Sequence, residues 1–386
     1  MHLCYVADTQ LPSRTANSIH VMKMCQAYRR LGHRVTLLVP AWRRGLEAGV
    51  GDVFTFYGVS ERFRIVRVPH SVRLAGRAYF GLLLPVVAAL CRPDLVHTRN
   101  LVVGWGTARL LRLPTILELH DLPDRTPRQR TTFRRTSGSA AVLAVVTITR
   151  AQTRLLEPLA DPNARFVVAP DGVDASWLAE RPEREEARRE LGLQEEARRL
   201  AVYTGHLYRG RGVELILELA RRTPDHLFLI VGGREEDVAR LRRQAEGLAN
   251  VRIPGFQPPA RVPLYLRAAD VLLMPYADAI ETAGGTDTAA YASPLKLFEY
   301  LAAGRPVLAS QLPVLGEILR HGDNALLLPY ESAEAWAEAL RRLAAEPELA
   351  AALAAGARRD AAGFSWERRA ERILAAAGPV ATGRGA

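Results

Sequence analysis

The stretch Ser293-Pro294-Leu295-Lys296-Leu297-Phe298-Glu299-Tyr300-Leu301-Ala302-Ala303-Gly304-Arg305-Pro306 decides how the chain is interpreted. Its residues follow the order of a loop, a helix and a stop. Ser293 is a preferred N-cap residue, and Pro294 suits the first helical position, where a missing N–H costs nothing. Gly304 stands where a left-handed C-cap belongs, and Pro306 forbids continuation. Val307-Leu308-Ala309 then forms a short apolar run suited to a buried strand. A loop entering a helix presents unsatisfied backbone N–H groups and the positive end of the helix dipole, which together suit a phosphate. Lys296 puts a cation in the first turn, where the dipole favours an anion. The mismatch resolves if an anionic ligand occupies the same spot. One turn on, Glu299 offers an acceptor-only carboxylate that matches a vicinal diol such as a ribose. Phosphate at a helix start and sugar hydroxyls one turn later describe a nucleotide. An ordinary amphipathic helix, with Leu297, Tyr300 and Leu301 buried and Lys296 and Glu299 solvated, fits the stretch equally well. The rest of the chain has to decide.

At 386 residues the chain exceeds what one core usually serves, so two domains are expected. Strand-like and helix-like segments alternate, which argues an α/β class. Cys4, Cys25 and Cys91 share no metal-like or redox spacing. An odd, sparse set fits a reducing cytoplasm rather than a disulfide framework. Met1 to Ala7 has no basic leader and stops at Asp8, so no secretory signal is expected. The longest apolar run, residues 78–91, is too short to cross a bilayer and contains Pro85. A buried helix is the first expectation there; its flanks Arg73, Arg77 and Arg92 make membrane-surface contact the second. The net charge of +11 is uneven: residues 1–185 hold 26 Lys and Arg against 15 Asp and Glu, while residues 186–386 hold 26 of each. An anionic membrane, an anionic substrate or a simply solvated arginine-rich surface would each account for that excess. Few aromatics interleave with the arginines and no nucleic-acid motif occurs, so nucleic acid is not an expected partner.

Taken in order, residues 3–7, a polar loop and a helix from about Ser18 to Leu31 precede a second strand at Val35 to Val39. This is a βαβ unit without a glycine-rich fingerprint, which weighs against a nicotinamide dehydrogenase. Asn17 and Ser18 lie in its first loop, as a contact for phosphate or hydroxyl or as plain helix caps. The runs 95–98 and 115–121 end near histidines. His120, at the carboxyl end of a strand, lies where ligands bind in an open sheet; His97 is the weaker case. The charged segment from Ala175 to Arg199 is the clearest break in composition and marks a domain boundary. Beyond it the alternation restarts. Tyr203-Thr204-Gly205-His206 leads through Gly210-Arg211-Gly212 into a helix, an arrangement that can cradle an anion around Arg211. A long polar loop with Gly284-Gly285 runs from Tyr276 to Ser293, directly into the deciding helix.

These segments together resemble the retaining glycosyltransferases of family 4. The matching stretches are Leu31-Gly32-His33-Arg34-Val35-Thr36, Pro170-Asp171-Gly172-Val173-Asp174, Tyr203-Thr204-Gly205-His206-Leu207, Arg211-Gly212-Val213, Val251-Arg252-Ile253-Pro254-Gly255-Phe256, Ala269-Asp270-Val271-Leu272-Leu273-Met274-Pro275 and Lys296 to Val307. They follow the family's order over nearly the whole chain. The resemblance implies a GT-B fold, two doubly wound Rossmann-like domains facing across a cleft: an acceptor-side domain over 1–180, a donor-binding domain over 181–365, and a C-terminal helix and tail over 366–386, with packing back on the N-terminal domain as one option. It further implies donor contacts at Gly205, His206, Arg211, Ser293, Leu295 and Lys296, with backbone at Phe256 and Gln257 facing the base and Glu299 on the ribose. His120 would lie near the donor sugar, and Asn17 and Ser18 on the acceptor side. His120, Arg211 and Lys296 are the expected catalytic set. In this sequence Arg211 stands where the family usually has lysine, and His206 where it more often has arginine. Eight residues before Glu299 stands Tyr291 rather than the first glutamate of the family's pair. Glu281 or Asp287 could take over its contact with the sugar.

The implied reaction moves a sugar from a nucleotide diphosphate sugar to a glycan or lipid hydroxyl, without cofactor or metal; no Asp-x-Asp pair occurs in the chain. The location implied is the cytoplasm, including the inner face of the membrane, with peripheral contact through the basic N-terminal half and an anionic acceptor as options. Two alternatives remain: a nucleotide-sugar epimerase of the same fold, and a non-catalytic sugar-nucleotide-binding subunit.

Overall fold

The structure is a computed structural model that describes residues 1–42, 46–70, 76–179, 184–280 and 287–379. Arg73, the centre of the charged run at 180–183, Glu281 and Gly284-Gly285 lie outside the described residues. The chain divides into two units, Met1–Asp171 with Trp366–Ala386, and Gly172–Ser365.

The first unit is built on a parallel sheet of seven strands: β1 (His2–Val6), β2 (Arg34–Ala41), β3 (Arg64–Pro69), β4 (Leu95–Thr98), β5 (Thr115–Glu118), β6 (Val142–Thr147) and β7 (Phe166–Val168), in the order β3-β2-β1-β4-β5-β6-β7. Leu3, Cys4, Tyr5 and Val6 are all completely buried, as expected for a central strand covered on both faces. The order reverses between β1 and β4, and ligands bind outside the carboxyl ends of strands at such a point. The last helix, Trp366–Ala377, belongs to this unit and packs on helix Ala16–Arg30 and on β6.

The second unit repeats the design with six parallel strands: β8 (Arg199–Thr204), β9 (His226–Val231), β10 (Val251–Gly255), β11 (Val271–Met274), β12 (Val307–Ser310) and β13 (Leu326–Leu328), in the order β10-β9-β8-β11-β12-β13. Its switch point lies between β8 and β11. The core gathers Tyr203, Ile216, Phe228, Leu273 and Trp336 between sheet and helices.

Three local expectations differ from what is observed. The helix expected from Ser18 begins at Ala16, because Thr15 supplies the cap, its hydroxyl accepting from Ser18 N. The deciding helix spans Leu295–Ala303 with Pro294 itself at the cap and no side-chain capping bond, so Ser293 is not the N-cap. Pro294 is extended (φ −73°, ψ 130°) and its carbonyl accepts from Leu297 N. Gly304 does close that helix in the left-handed conformation, φ 61°. Finally, the apolar run at 78–91 is not buried throughout: Tyr79, Leu84 and Ala88 face the core, but Leu82 and Leu90 are 52% and 76% exposed.

Candidate functional site

The carboxyl ends of β8 and β11 and the start of helix Leu295–Ala303 bring four side chains of the second unit together. Tyr203, near the end of β8, is completely buried, and its hydroxyl donates to the carbonyl of His206 at 2.6 Å. Lys296 Nζ sits 3.7 Å from the centre of the Tyr203 ring and 5.2 Å from that of Tyr276, which follows β11. The guanidinium of Arg211 lies 5.0 Å from the Tyr276 centroid. Such ring faces attract cations. Two glycines permit this closeness. A Cβ on Gly205 (φ 134°) would stand 2.7 Å from Lys296 Nζ, and one on Gly212 (φ 75°) would stand 1.6 Å from the carbonyl oxygen of Pro275. Gly212 also begins helix Val213–Arg222, so that helix starts against the same loop. Tyr300 anchors the deciding helix to the sheet, its hydroxyl accepting from Thr204 N at 2.9 Å.

Lys296 is buried, 8% exposed, and its Nζ has no hydrogen-bond partner among the described residues. Burial, and then the Arg211 charge, push its pKa well below the ordinary lysine value, while Glu299 pulls the other way. Arg211 and Lys296 thus stand at the start of two helices with like charges close by, an arrangement that an anion would relieve. His206 stacks on Tyr208, centroids 4.7 Å apart, and is lowered to about 4 by burial and then by Arg211 and Lys296. It is therefore neutral at pH 7 and adds hydrogen-bonding capacity without charge.

Gly205, His206, Arg211 and Lys296 are thus gathered in one place. Glu299 is half-buried one turn along the same helix, and its charge is felt by Lys296 and Tyr276. Ser293 and Leu295 are half-buried at the helix entry. Phe256 and Gln257 follow β10, two strands from β8 on the same edge. Tyr291 is buried. Asp287 Oδ1 accepts from the backbone N–H groups of Ile280 and Ala289 at 2.8 and 2.9 Å, so this carboxylate closes its own turn.

In the first unit, β5 stops at Glu118 and His120 follows two residues later. Glu118 is completely buried. Its Oε1 meets Nε2 of His120 in a short hydrogen bond and lies 3.0 Å from Nε2 of His20; its Oε2 lies 2.9 Å from Nε2 of His97. Arg369 of the last helix bonds both oxygens, at 3.0 and 3.3 Å. His20 Nδ1 bonds Asp171 Oδ1 at 2.8 Å. His20, His120 and Asp171 each offer a ligand atom within 4.8 Å of the others, a grouping able to hold a cation. Against that use, His20 already faces a carboxylate on each side and Arg369 packs on the same Glu118. Of the acceptor-side pair, Ser18 is completely buried and its hydroxyl donates to the carbonyls of Ser13 and Thr15 at 2.9 and 2.8 Å, which commits it to holding the loop. Asn17 is half-buried, and its Oδ1 has no partner among the described residues.

From the sequence alone no role falls to Glu118, Arg369 or His20, and Tyr203, Tyr276 and Asp171 are named only within longer stretches. The aromatic residues beside the turns after β8 and β11 were the one local signal; nothing near Glu118 announces a partner 251 positions away.

Two doubly wound α/β units, the second with cations gathered at its switch point, define an architecture that binds ligands at the carboxyl ends of its strands. Residues 183–360 match the family model described as glycosyl transferases group 1, and residues 18–177 the one described as glycosyltransferase family 4. The chain belongs to the group 1 glycosyltransferase family and has the GT-B fold. It is 33% identical over 230 residues to a D-inositol 3-phosphate glycosyltransferase of Rhodococcus jostii, covering 56% of this chain and 47% of the relative. A protein of the same name from Geodermatophilus obscurus is 29% identical over 312 residues, covering 73% and 66%. The chain thus spans about half the length of the first curated relatives it matches. Among solved structures, Anabaena Alr3699/HepE in complex with UDP and glucose superimposes with a TM-score of 0.73 at 17% identity, covering 97% of this chain and 98% of that one. No described helix is long and apolar enough to cross a membrane.

Proposed function

We propose that the chain moves a hexose from a nucleoside diphosphate sugar to an acceptor hydroxyl, with retention and without a metal ion. The observation that carries this is Lys296, a buried amine with no hydrogen-bond partner among the described residues, set at the start of a helix beside Arg211. The slow step of such a transfer is departure of a diphosphate with growing negative charge. Arg211, Lys296 and the starts of helices 213–222 and 295–303 stabilise that charge, which is the work a metal does elsewhere. Glu299 takes the ribose hydroxyls, backbone at Phe256 and Gln257 the base, and His120 the donor sugar. Relatives named for inositol 3-phosphate and a neighbour solved with UDP support a UDP-sugar donor and a phosphorylated polyol or glycan acceptor.

Thermal-shift screening of nucleotide sugars tests the donor, since a ligand at a hundred times its Kd adds about 2.7 kcal/mol of stability. UDP-sugars should raise the midpoint, and transfer of labelled sugar to a phosphorylated polyol should follow. If no nucleoside diphosphate sugar stabilises the chain, the function is wrong. Turnover of donor without acceptor would point to an epimerase instead.

A cytoplasmic location with peripheral contact at the inner membrane face is favoured by exposed apolar and basic residues of the first unit. Leu82, Leu90, Trp105 and Leu110 are exposed on helices that also carry exposed Arg77 and Arg109, with exposed Arg92 and Arg112 just past their ends. Sedimentation with anionic but not neutral vesicles is the expected result.

A further inference from the structure

Glu118 is the best-connected charge in the first unit that the proposed reaction does not use. Its two oxygens meet His20, His97, His120 and Arg369, and Arg99 Nε stands 3.9 Å away. Against burial, which raises it, Arg369 and then His20 hold this carboxyl well below the ordinary range, so it is ionised. An ionised carboxylate only accepts, and every nitrogen that bonds it must carry the proton. His97 accordingly donates from Nε2 and receives the Tyr28 hydroxyl on Nδ1, at 2.9 Å. By the same logic His120 donates from Nε2, which turns Nδ1 into an acceptor. Burial and then the Arg99 charge keep His120 down to about 3, and burial lowers His97 as well, so both rings are neutral.

We infer that Glu118 is a positioning residue: it fixes His120 as the Nε2–H tautomer, and Arg369 from the last helix compensates the carboxylate so that the ring need not. The inference rests on the assignment of His120 to the donor sugar. An imidazole held this way accepts a hydrogen bond from a sugar hydroxyl at Nδ1 and offers nothing there to a group that can only accept, such as a phosphate oxygen. The charged and titratable neighbours that could alter its state are Glu118, Asp171, His20, Arg99 and Arg369.

Tautomers are read directly from two-bond proton–nitrogen spectra of the full chain labelled with ¹⁵N-histidine. His120 is expected as Nε2–H and unchanged across neutral pH; an Nδ1–H tautomer or an imidazolium would overturn the proposal without recourse to activity. Glu118→Gln keeps the shape and removes the charge. It should scramble the tautomer and lower kcat by about 100-fold, the cost of a misplaced group, with little change in donor KM. Arg369→Met should add an acid limb to the pH–rate profile near the imidazole range as a ring takes up the missing charge, and Arg369→Lys should remove that limb. If the variants lose stability while tautomer, pH profile and the ratio of kcat to KM stay as in the wild type, the cluster is only structural. Should Glu118→Gln not fold, the wild-type spectrum and Arg369→Lys still decide. A wild-type chain without donor-dependent turnover would defeat the proposed function and leave the tautomer result standing.

Discussion

The two units bury ionisable groups in opposite ways. In the first, Glu118 accepts from His97, His120 and Arg369 while His20 bonds Asp171, a network closed except at His20 Nε2, which lies 3.0 Å from Glu118 without a hydrogen bond. In the second, Lys296 is also buried, yet aromatic faces and a like-charged neighbour stand where an anion would be. A closed network is a finished part, held in shape whether or not substrate is present. A buried cation without an acceptor is costly until a ligand arrives, so it marks the place where binding energy is released.

That contrast predicts opposite signs for mutations at buried charged positions of the two units. The largest effect should come from Arg369→Ala or Glu118→Ala. Either leaves an uncompensated buried charge, and about 3–5 kcal/mol of the first unit's stability should disappear. Urea unfolding followed by hydrogen exchange resolved to each unit measures it; a loss below about 1 kcal/mol would mean that the network is looser than drawn. Lys296→Met should do the reverse without ligand, leaving the second unit as stable as the wild type or more so. Donor affinity should meanwhile fall by roughly 1.5–3 kcal/mol, the worth of a charge-assisted hydrogen bond. Titration calorimetry with UDP reads the second quantity. Equal affinity in the variant would remove Lys296 from the diphosphate.

The pH dependence of the two units should differ in its window as well. His97 and His120 are held below the ordinary imidazole value, His120 at about 3. Below about pH 6.5 the unfolded chain binds protons that these folded rings refuse. Stability of the first unit should therefore fall between pH 7 and 5, and fall further below the carboxylate range as Glu118 loses its charge. Lys296 acts at the other end. Burial and the Arg211 charge hold it well below the ordinary lysine value, so between the two values the unfolded chain keeps a proton that the folded unit has shed. The ligand-free second unit should accordingly gain stability as pH rises toward the ordinary lysine value. Unit-resolved hydrogen exchange across pH, corrected for intrinsic rates, distinguishes these slopes; parallel slopes would erase the contrast.

The part of this architecture that local pattern governs was legible beforehand. Apolar runs bounded by proline, glycine and charge located the strands, and Gly304 and Pro306 ended the deciding helix where expected. Lys296 was conspicuous because a cation opposed the dipole of its own helix, a conflict visible within four residues. Its burial was not legible, since that depends on Tyr203, Tyr276 and Gly205 arriving from strand ends 20 to 93 positions away. The closed network was still less accessible. Glu118 looks like any polar strand end until Arg369 comes from the last helix, and no periodicity encodes that meeting. Cap choice failed for a different reason: Thr15 and Ser18 are both good caps, and only packing selects between them.

The smallest predicted effect probes a loop of the first unit that holds both a satisfied and an unsatisfied polar group. Ser18 behaves like the closed network, because its hydroxyl is spent on Ser13 and Thr15. Asn17, its neighbour, resembles Lys296 in having a buried polar atom without a partner among the described residues. Asn17→Ala should then change stability by less than about 0.5 kcal/mol, because no native bond is lost. If the orphan oxygen awaits an acceptor hydroxyl, the same substitution should raise the acceptor KM while the donor KM stays put. Ser18→Ala should give the mirror result, a loss of about 1 kcal/mol in stability with acceptor KM unmoved. A matched pair of steady-state titrations separates them, and an unchanged acceptor KM in Asn17→Ala would return this loop to a purely structural role.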